Sequence, residues 1–332
     1  MKYLKIILVL LVLILFNCSC TGSYFISAYP EIEEAEETEE IEIIVPDILL
    51  PDLSQDDPTQ TGACSDLSKK GVNNNFNIIE VIDIPDDLPV EFDLSIMMPP
   101  VRSQGSQGSC VAWATTYYLK SYQEKIQHEY LYASYENVMS PAFVYNQSKL
   151  GEDCGSGSAI AKALEILKTK GCNTWEEFPY TDLDCLRLPS EEQQQLAEIN
   201  KINDYFSVAI PELNTDENYT LTNLIKTLIL QKNPIVIGMS VDDDFKANIP
   251  LNGDGIYIYN KYDENKDDSA CGHAMLIVGY DDELNAFKIV NSWGTGWGEN
   301  GYGWINYNFF LDQNDSDFVE GFSGAFIAYD EE

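Results

Sequence analysis

A loop of small residues leads directly into a cysteine at the start of an apolar helical stretch. The loop runs from Val101 to Ser109, and the predicted helix begins at Cys110 and continues to about Lys125. A helix N-terminus carries partial positive charge, which favours a thiolate over a thiol. Gln104 lies in the same loop, and its amide can donate a hydrogen bond to an oxyanion formed beside the sulfur. The segment therefore predicts a nucleophilic cysteine.

A thiolate nucleophile needs a proton carrier, and the chain has only 2 histidines. His128 lies in the charged and aromatic stretch 127–130, which is typical of a solvated helix end. His273 enters an apolar strand within the segment 271–280. We therefore expect His273 to be the acid–base group.

Asn291 ends a second apolar strand, and the loop Asp281–Asn285 joins it to the strand that follows His273. Two antiparallel strands joined in this way bring both residues to the same end of a hairpin. The amide oxygen of Asn291 can then accept the imidazole N–H and turn the ring towards the sulfur, as in a Cys–His–Asn triad. We expect Trp293 to cover this hydrogen bond and to keep water from competing for it.

These segments resemble the papain-like cysteine peptidases over roughly residues 85–332. The motifs that carry the resemblance occur in the family's order and are Gln104-Gly105, Gly108-Ser109-Cys110, Gly155-Ser156-Gly157, Pro179-Tyr180, Gly272-His273-Ala274 and the run 291–301. The resemblance implies Cys110 as nucleophile, His273 as acid–base group, Asn291 as the residue that orients the imidazole and Gln104 as oxyanion donor. It also implies a polypeptide substrate.

The resemblance implies an α+β, papain-like two-lobed fold, with a mainly helical left half, a β-barrel-like right half and the active site in the cleft between them. Hydrophobic periodicity agrees with this division. Predicted helices begin at Cys110, Ser140-Pro141, Ser158 and Leu221, and predicted strands cover 234–241, 256–259, 274–280, 286–290 and 303–307. The nucleophile falls in the helical half and the base in the β-rich half, as a cleft site requires.

The nucleophile loop departs from the family's local signature, Cys-Gly-Ser/Ala-Cys-Trp/Tyr, at two positions. Gln107 stands in place of the first cysteine, which removes one half of a disulfide. Val111 stands in place of the aromatic residue, which removes a wall beside the nucleophile. Neither change removes a group that transfers protons, so we expect activity to be retained with altered rigidity of the loop.

The substrate cleft is expected to include Ser156 and Gly157, whose backbone groups can pair with an extended peptide. Gly272 has no side chain and leaves the wall beside His273 open. The acidic character of the chain weakly disfavours acidic substrates. We expect no cofactor and no metal, because the cysteine spacings match no zinc pattern, and we expect the protein to act as a monomer.

The N-terminus reads as an export signal. Residues 1–17 have a basic start and an unbroken apolar centre that is short for a membrane span. Cys18 and Cys20 follow it, which resembles a bacterial lipoprotein processing site where a cysteine receives lipid. We expect a signal over 1–20 and a lipoprotein of the cell envelope or outer surface, with a simple secreted protein as the alternative.

The formal net charge is −36, from 55 acidic and 19 basic residues, which excludes nucleic acid as a natural partner. Much of this charge lies in the run 31–42, and residues 46–75 have little to bury. We expect residues 21–84 to form an acidic, low-complexity tether and residues 85–332 to form the peptidase domain. An inhibitory propeptide is the alternative, although no long helical pattern supports it.

Beyond the signal, cysteines lie at positions 64, 110, 154, 172, 185 and 271. With Cys110 reserved for catalysis an odd number remains, so at least one is unpaired or bonds another chain. Export makes disulfides chemically accessible. Pairing among Cys154, Cys172 and Cys185 is expected, and the spacing does not decide between them.

Two other classes of function fit parts of this pattern. An acyltransferase of the transglutaminase-like, crosslinking type uses similar Cys–His chemistry, and a non-catalytic surface binding protein can reuse a peptidase fold. The run that begins at Asn291 and the presence of Gln104 favour hydrolysis, and the complete triad argues against a binding protein. The sequence predicts a cysteine endopeptidase that works through an acyl-enzyme.

Overall fold

The computed structural model of the protein describes residues 77–80, 82–209, 220–247, 258–259, 271–310 and 322–330. Helices dominate the N-terminal half of this part of the chain and strands dominate its C-terminal half. The expected signal, the cysteines expected to carry lipid and most of the expected tether lie outside the described residues. Within the described ranges, no helix is long and apolar enough to cross a membrane.

The helical half is built around one continuous helical segment, here called the central helix, which runs from Cys110 to His128. It consists of α1 (Cys110–Ala112), a π-helical stretch (Trp113–Lys120) and α2 (Ser121–His128). Nearly every residue of its first two parts is buried, as expected for a helix that is covered on all sides. The other helices are α3 (Pro141–Ser148), α4 (Ile160–Thr169), α5 (Glu191–Ala197), α6 (Leu221–Leu230) and α7 (Asp243–Ala247).

The described strands form a single sheet. They are β1 (Glu91–Asp93), β2 (Asp204–Ser207), β3 (Ile235–Val241), β4 (Ile258–Tyr259), β5 (Cys271–Asp281), β6 (Ala286–Val290), β7 (Tyr302–Asn306) and β8 (Phe322–Tyr329). The strand order is β2-β8-β3-β5-β6-β7-β4, with β1 added on β5. The strand β5 is buried along almost its whole length, because other elements cover both of its faces.

The predicted α+β fold is confirmed, and most predicted elements lie within a few residues of their expected bounds. Ser140 and Pro141 open α3 as expected, but the Ser140 hydroxyl donates to the backbone oxygen of Phe178 instead of capping the helix. The sequence reasoning missed β1, β2, β8, α5 and α7. Of these, α5 carries a recognisable signal, since Ser190 and Gln193 form a capping box at its start.

Residues 77–80 were expected to belong to the tether, and they instead pack on the domain. The Ile79 side chain is buried, and its backbone N–H donates to the oxygen of Ser207 over 2.9 Å. Ser207 N–H donates in turn to the oxygen of Asn77 over 2.9 Å. The packed part of the chain therefore begins earlier than residue 85.

A buried ion cluster joins the central helix to the end of β8. The Lys120 ammonium group lies 2.5 Å from Glu124 and 2.5 Å from Asp330, and its side chain is 1% exposed. Burial alone lowers the pKa of Lys120, but the two carboxylates more than offset it and the net direction is upwards. Lys120 therefore stays charged inside the protein.

One disulfide joins Cys154 and Cys185. Cys172 keeps a buried thiol, and burial raises its pKa well above the ordinary value. Cys271 is also disulfide-bonded. The structure thus selects one pairing from the three that the sequence left open and assigns Cys172 as unpaired.

Candidate active site

The predicted nucleophile lies at the N-terminus of the central helix. Helix α1 begins at Cys110, with Ser109 as the residue before its first turn, and Trp113 N–H donates to the oxygen of Ser109 over 3.1 Å. Cys110 is buried and carries a thiol rather than a disulfide. Helix α1 packs against β5, the strand that holds His273. Cys110 and His273 thus belong to two elements that pack against each other, one in the helical half and one in the sheet.

The predicted base and its orienting residue are directly bonded. His273 Nε2 lies 2.7 Å from Asn291 Oδ1, and both side chains are buried. His273 lies near the start of β5, and Asn291 follows the last residue of β6, which pairs antiparallel with β5. The hairpin predicted from the loop Asp281–Asn285 therefore brings the two residues to one end.

The tautomer of His273 follows from the bonds of Asn291. Ser292 N–H donates to the same Asn291 Oδ1 over 2.7 Å, which identifies that atom as the amide oxygen. Nε2 of His273 must then carry the hydrogen, and Nδ1 of the neutral ring has a lone pair. Among the described residues, His273 Nδ1 has no hydrogen-bond partner. The ring is thus fixed in the form that can accept a proton.

Trp293 lies against the imidazole as expected. The ring centroids of Trp293 and His273 are 4.4 Å apart and their planes are inclined by 27°. Trp293 is itself packed against Phe245 and Trp297, at centroid distances of 5.7 and 5.8 Å. This aromatic cover leaves little room for water beside the bond between His273 and Asn291.

Burial has a large effect on the protonation of His273. It lowers the pKa of the ring to about 4, and the bond to Asn291 only partly opposes this shift. As long as Cys110 is uncharged, the His273 ring is therefore neutral near pH 7. A thiolate on Cys110 would act in the opposite direction, because a nearby negative charge favours imidazolium.

Gln104 is held by hydrogen bonds to Gln107 and to Ser292, the residue that follows Asn291. Its Oε1 accepts a hydrogen bond from Ser292 Oγ over 2.6 Å, and its Nε2 donates to the oxygen of Gln107 over 2.8 Å. Its backbone N–H also donates to the oxygen of Ser292 over 2.8 Å. These bonds hold the buried amide of Gln104 in one orientation.

Tyr118 is a site residue that the sequence reasoning missed. Its hydroxyl donates to the backbone oxygen of Asn291 over 2.8 Å from within the central helix. The side chain is buried, and desolvation raises its pKa well above the ordinary value, so the phenol remains a donor. No local pattern indicates this contact, because Tyr118 and Asn291 are far apart in the chain and belong to different halves of the fold.

The predicted substrate-binding residues occupy two different places. Gly157, with φ +70°, lies in the turn beside Gly108, and its backbone oxygen accepts from Leu150 N–H over 2.9 Å. Ser156 N–H is 3.4 Å from the oxygen of Asp153. Some of the backbone groups expected to pair with substrate therefore already have partners in the protein.

Gly272 is buried on β5 beside His273, opposite Ser240 of β3. His128 is the last residue of the central helix and is exposed. Its Nε2 lies 3.2 Å from Glu124 Oε2. Within the described ranges, no group of three or more His, Cys, Asp and Glu side chains is placed to hold a metal ion.

Comparison with known proteins agrees with this geometry. Residues 88–314 match the family model described as papain family cysteine protease. An uncharacterised peptidase C1-like protein of Acanthamoeba polyphaga mimivirus is 25% identical over 255 residues, which are 75% of this chain and 74% of the viral protein. A cysteine protease of Blomia tropicalis is 26% identical over 249 residues, which are 72% of this chain and 69% of the mite protein.

The fold also has a close counterpart among solved structures. Xylellain, a cysteine protease from Xylella fastidiosa, superimposes with a TM-score of 0.62 at 23% identity, over 81% of this chain and 97% of that one. At this identity the likeness concerns the fold alone. Because the family model spans more than half of the sequence, the chain belongs to the papain family of cysteine proteases and is a cysteine peptidase.

Proposed function

We propose that this peptidase is an endopeptidase that hydrolyses peptide bonds with Cys110, His273 and Asn291 as its triad and Gln104 as an oxyanion donor. The observation that supports this most is the bond from His273 Nε2 to Asn291 Oδ1, at 2.7 Å. It leaves the lone pair of Nδ1 for the proton of a nucleophile. The same ring nitrogen then accepts and returns a proton in both halves of the reaction.

In the first half, His273 Nδ1 takes the proton of the Cys110 thiol, and the resulting sulfur lone pair attacks the carbonyl carbon of the substrate. The carbonyl oxygen becomes an oxyanion, which the Gln104 amide and the Cys110 backbone N–H stabilise. Collapse of this intermediate breaks the C–N bond, and His273 returns its proton to the leaving amine. The product is a thioester on Cys110.

In the second half, water replaces the departed amine. His273 takes a proton from the water, and the hydroxyl oxygen attacks the thioester carbonyl. The C–S bond then breaks, the carboxylic acid leaves and Cys110 regains its thiol. Trp293 protects the His273–Asn291 bond during both halves, because its ring lies 4.4 Å from the imidazole.

Cleavage within a chain, rather than at its ends, is part of this proposal. A quenched fluorescent peptide with both termini blocked tests this directly. An endopeptidase cleaves it, whereas an enzyme that requires a free terminus does not.

The same assay separates hydrolysis from acyl transfer. A primary amine added at increasing concentration competes with water for the thioester. We expect the carboxylic acid to remain the main product. Predominant amide formation at low amine concentration would support a crosslinking acyltransferase instead.

We also propose that the protein works outside the cytoplasm, held by a lipid on Cys18 or Cys20. The Cys154–Cys185 disulfide supports export, because disulfides persist in oxidising compartments. Metabolic labelling with an alkynyl fatty acid, in wild type and in Cys18→Ser and Cys20→Ser variants, tests the anchor. Unlabelled, active protein in the medium would indicate simple secretion.

A further inference from the structure

The loop between Gln104 and Cys110 controls how the proposed oxyanion donor and nucleophile are placed relative to each other. We call residues 104–109 the nucleophile loop. It lacks the cysteine that the family signature has at position 107, so no disulfide starts from this loop. Its geometry must be maintained by contacts with its neighbours.

The carboxylate of Asp182 makes two of these contacts at the middle of the loop. Asp182 Oδ2 accepts a hydrogen bond from Ser106 N–H over 3.0 Å and another from Ser106 Oγ over 3.0 Å. The preceding Gly105 has φ +59°, and a Cβ atom there would run into the same carboxylate. The loop backbone and Asp182 are therefore fitted closely to each other.

Tyr180, two residues before Asp182, holds both ends of the loop. Its hydroxyl donates to the backbone oxygen of Gln104 over 2.7 Å and lies 2.8 Å from Ser109 Oγ. Between them, the backbone oxygen of Thr181 lies 3.4 Å from Gln107 Nε2. Three consecutive residues, 180–182, thus contact the nucleophile loop along its length.

The opposite side of the loop lies on the turn that contains Cys154. Gly108 N–H donates to the oxygen of Cys154 over 2.8 Å, and a Cβ at Gly108 would lie 2.8 Å from the oxygen of Gly155. Cys154 is bonded to Cys185, which follows Asp182 closely in the chain. The disulfide therefore joins the two segments that enclose the nucleophile loop.

We propose that Asp182 is a positioning residue for catalysis and that the Cys154–Cys185 disulfide braces it. In this arrangement the carboxylate fixes the turn at Ser106, and the turn sets the placement of Gln104 relative to Cys110. The inference rests on the proposed function, since it assigns a role in aligning that same site. Loss of the carboxylate should slow the chemical step and leave substrate binding nearly unchanged, because small misplacements of reacting groups cost rate more than affinity.

The test compares Asp182→Ala with Asp184→Ala. Asp184 is exposed, and its Oδ1 accepts hydrogen bonds from the backbone N–H groups of Leu186 and Arg187. Its removal changes the charge of the same segment equally without removing a hydrogen bond to Ser106. Active sites are first counted by titration with a thiol-directed epoxide, so that misfolded enzyme does not enter the comparison. Asp182→Ala should lower kcat per titrated site by roughly 10-fold with KM changed less than about 2-fold.

Asp182→Asn should recover much of this loss, because its amide oxygen can still accept from Ser106. A merely structural residue would instead lower the titrated fraction and leave kcat per site unchanged. Equal kcat per site in Asp182→Ala, Asp184→Ala and wild type would overturn the proposal. The same assay tests the proposed function, because turnover by wild type should vanish in Cys110→Ala. Failure of the proposed function is therefore distinguishable from failure of the role of Asp182.

The disulfide is tested with the double substitution Cys154→Ser/Cys185→Ser, alone and combined with Asp182→Ala. If the disulfide acts through Asp182, the combined variant should lose less activation free energy, from kcat per titrated site, than the sum of the losses in the disulfide variant and in Asp182→Ala. Full additivity would contradict the bracing role. If the double variant does not fold, the single substitutions at Asp182 still decide whether the carboxylate positions the loop.

Discussion

Asn291 Oδ1 accepts hydrogen bonds from His273 Nε2 and from the backbone N–H of Ser292, each over 2.7 Å. The amide cannot turn without losing both bonds, so the orientation of the imidazole is fixed by a group that is itself fixed. Tyr118 adds a further restraint by donating to the backbone oxygen of Asn291. The imidazole of His273 is therefore positioned by the sheet and by the central helix together.

Replacing Asn291 with Ala should lower kcat by about 10²-fold, because the imidazole loses the partner that fixes its direction. Steady-state kinetics on a blocked peptide, normalised to titrated sites, measures this change. Asn308→Ala, an exposed asparagine on the 3₁₀ turn after β7, is the matched control. Unchanged kcat in Asn291→Ala would remove Asn291 from the proposed triad.

Replacing Gln104 with Ala should lower kcat by on the order of 10²- to 10³-fold, the usual loss for one oxyanion donor. Alkylation of Cys110 by iodoacetamide forms no oxyanion, so its rate should change much less. Gln194→Ala, on α5 and away from the nucleophile loop, provides the control. Equal losses in hydrolysis and alkylation would show that Gln104 acts on the thiol and not on the oxyanion.

The burial of His273 predicts a pH-dependent stability. The unfolded chain protonates this residue near the ordinary pKa of 6.5, and the folded ring does so only at about 4. The unfolded state therefore binds more protons over this interval, and the free energy of unfolding should fall as pH falls from 7 towards 4, by about 3 kcal/mol. Above pH 7 this contribution should be constant.

Urea unfolding of Cys110→Ala and Cys110→Ala/His273→Gln, measured between pH 7 and 4, isolates this effect. The Cys110→Ala background removes any thiolate that would stabilise the imidazolium. The difference between the two proteins should change with pH in the direction given. A constant difference would mean that His273 is solvated enough to keep its ordinary pKa.

Replacing Lys120 with Met should destabilise the protein by about 3–5 kcal/mol, because it leaves two carboxylates without their buried partner. Glu124 is only 4% exposed and Asp330 only 14%. Lys168→Met is the control, since Lys168 and Asp204 form a pair that is 38% exposed on each side. The control should lose at most about 1 kcal/mol in the same denaturant experiment, and equal losses would contradict the assigned role of burial.

The parts of the site that the sequence predicts are those encoded locally. Cys110 follows a loop of small residues at a helix start, and His273 and Asn291 are joined by one short hairpin. In each case the signal is contained within a single segment, so periodicity and turn chemistry are sufficient. The resemblance to the papain family added the roles of the residues and the division into two halves.

The contacts that the sequence did not predict join distant segments. The bonds from Tyr118 to Asn291 and from Ser106 to Asp182 depend on how the central helix, the sheet and the 180–182 segment pack together. No spacing rule specifies such pairs. The choice of Cys185 as the partner of Cys154 is of the same kind, since it depends on which side chains the packed fold brings within bonding distance.

The strands β2 and β8 were missed for a related reason. They pair with each other, yet they are separated by most of the C-terminal half of the chain. Each becomes a strand because neighbouring strands satisfy its backbone, and strand preference depends strongly on such context. Their formation is a property of the assembled sheet.

The most direct test of the central claim is the turnover of a blocked peptide by wild type and by Cys110→Ala at equal concentration. The thiol of Cys110 is the proposed nucleophile, so wild type should hydrolyse the peptide through a thioester on Cys110, which added hydroxylamine should cleave to an acyl hydroxamate and the free thiol. Cys110→Ala should show neither turnover nor hydroxamate formation while unfolding at a similar denaturant concentration. Hydrolysis by folded Cys110→Ala at the wild-type rate would contradict the account.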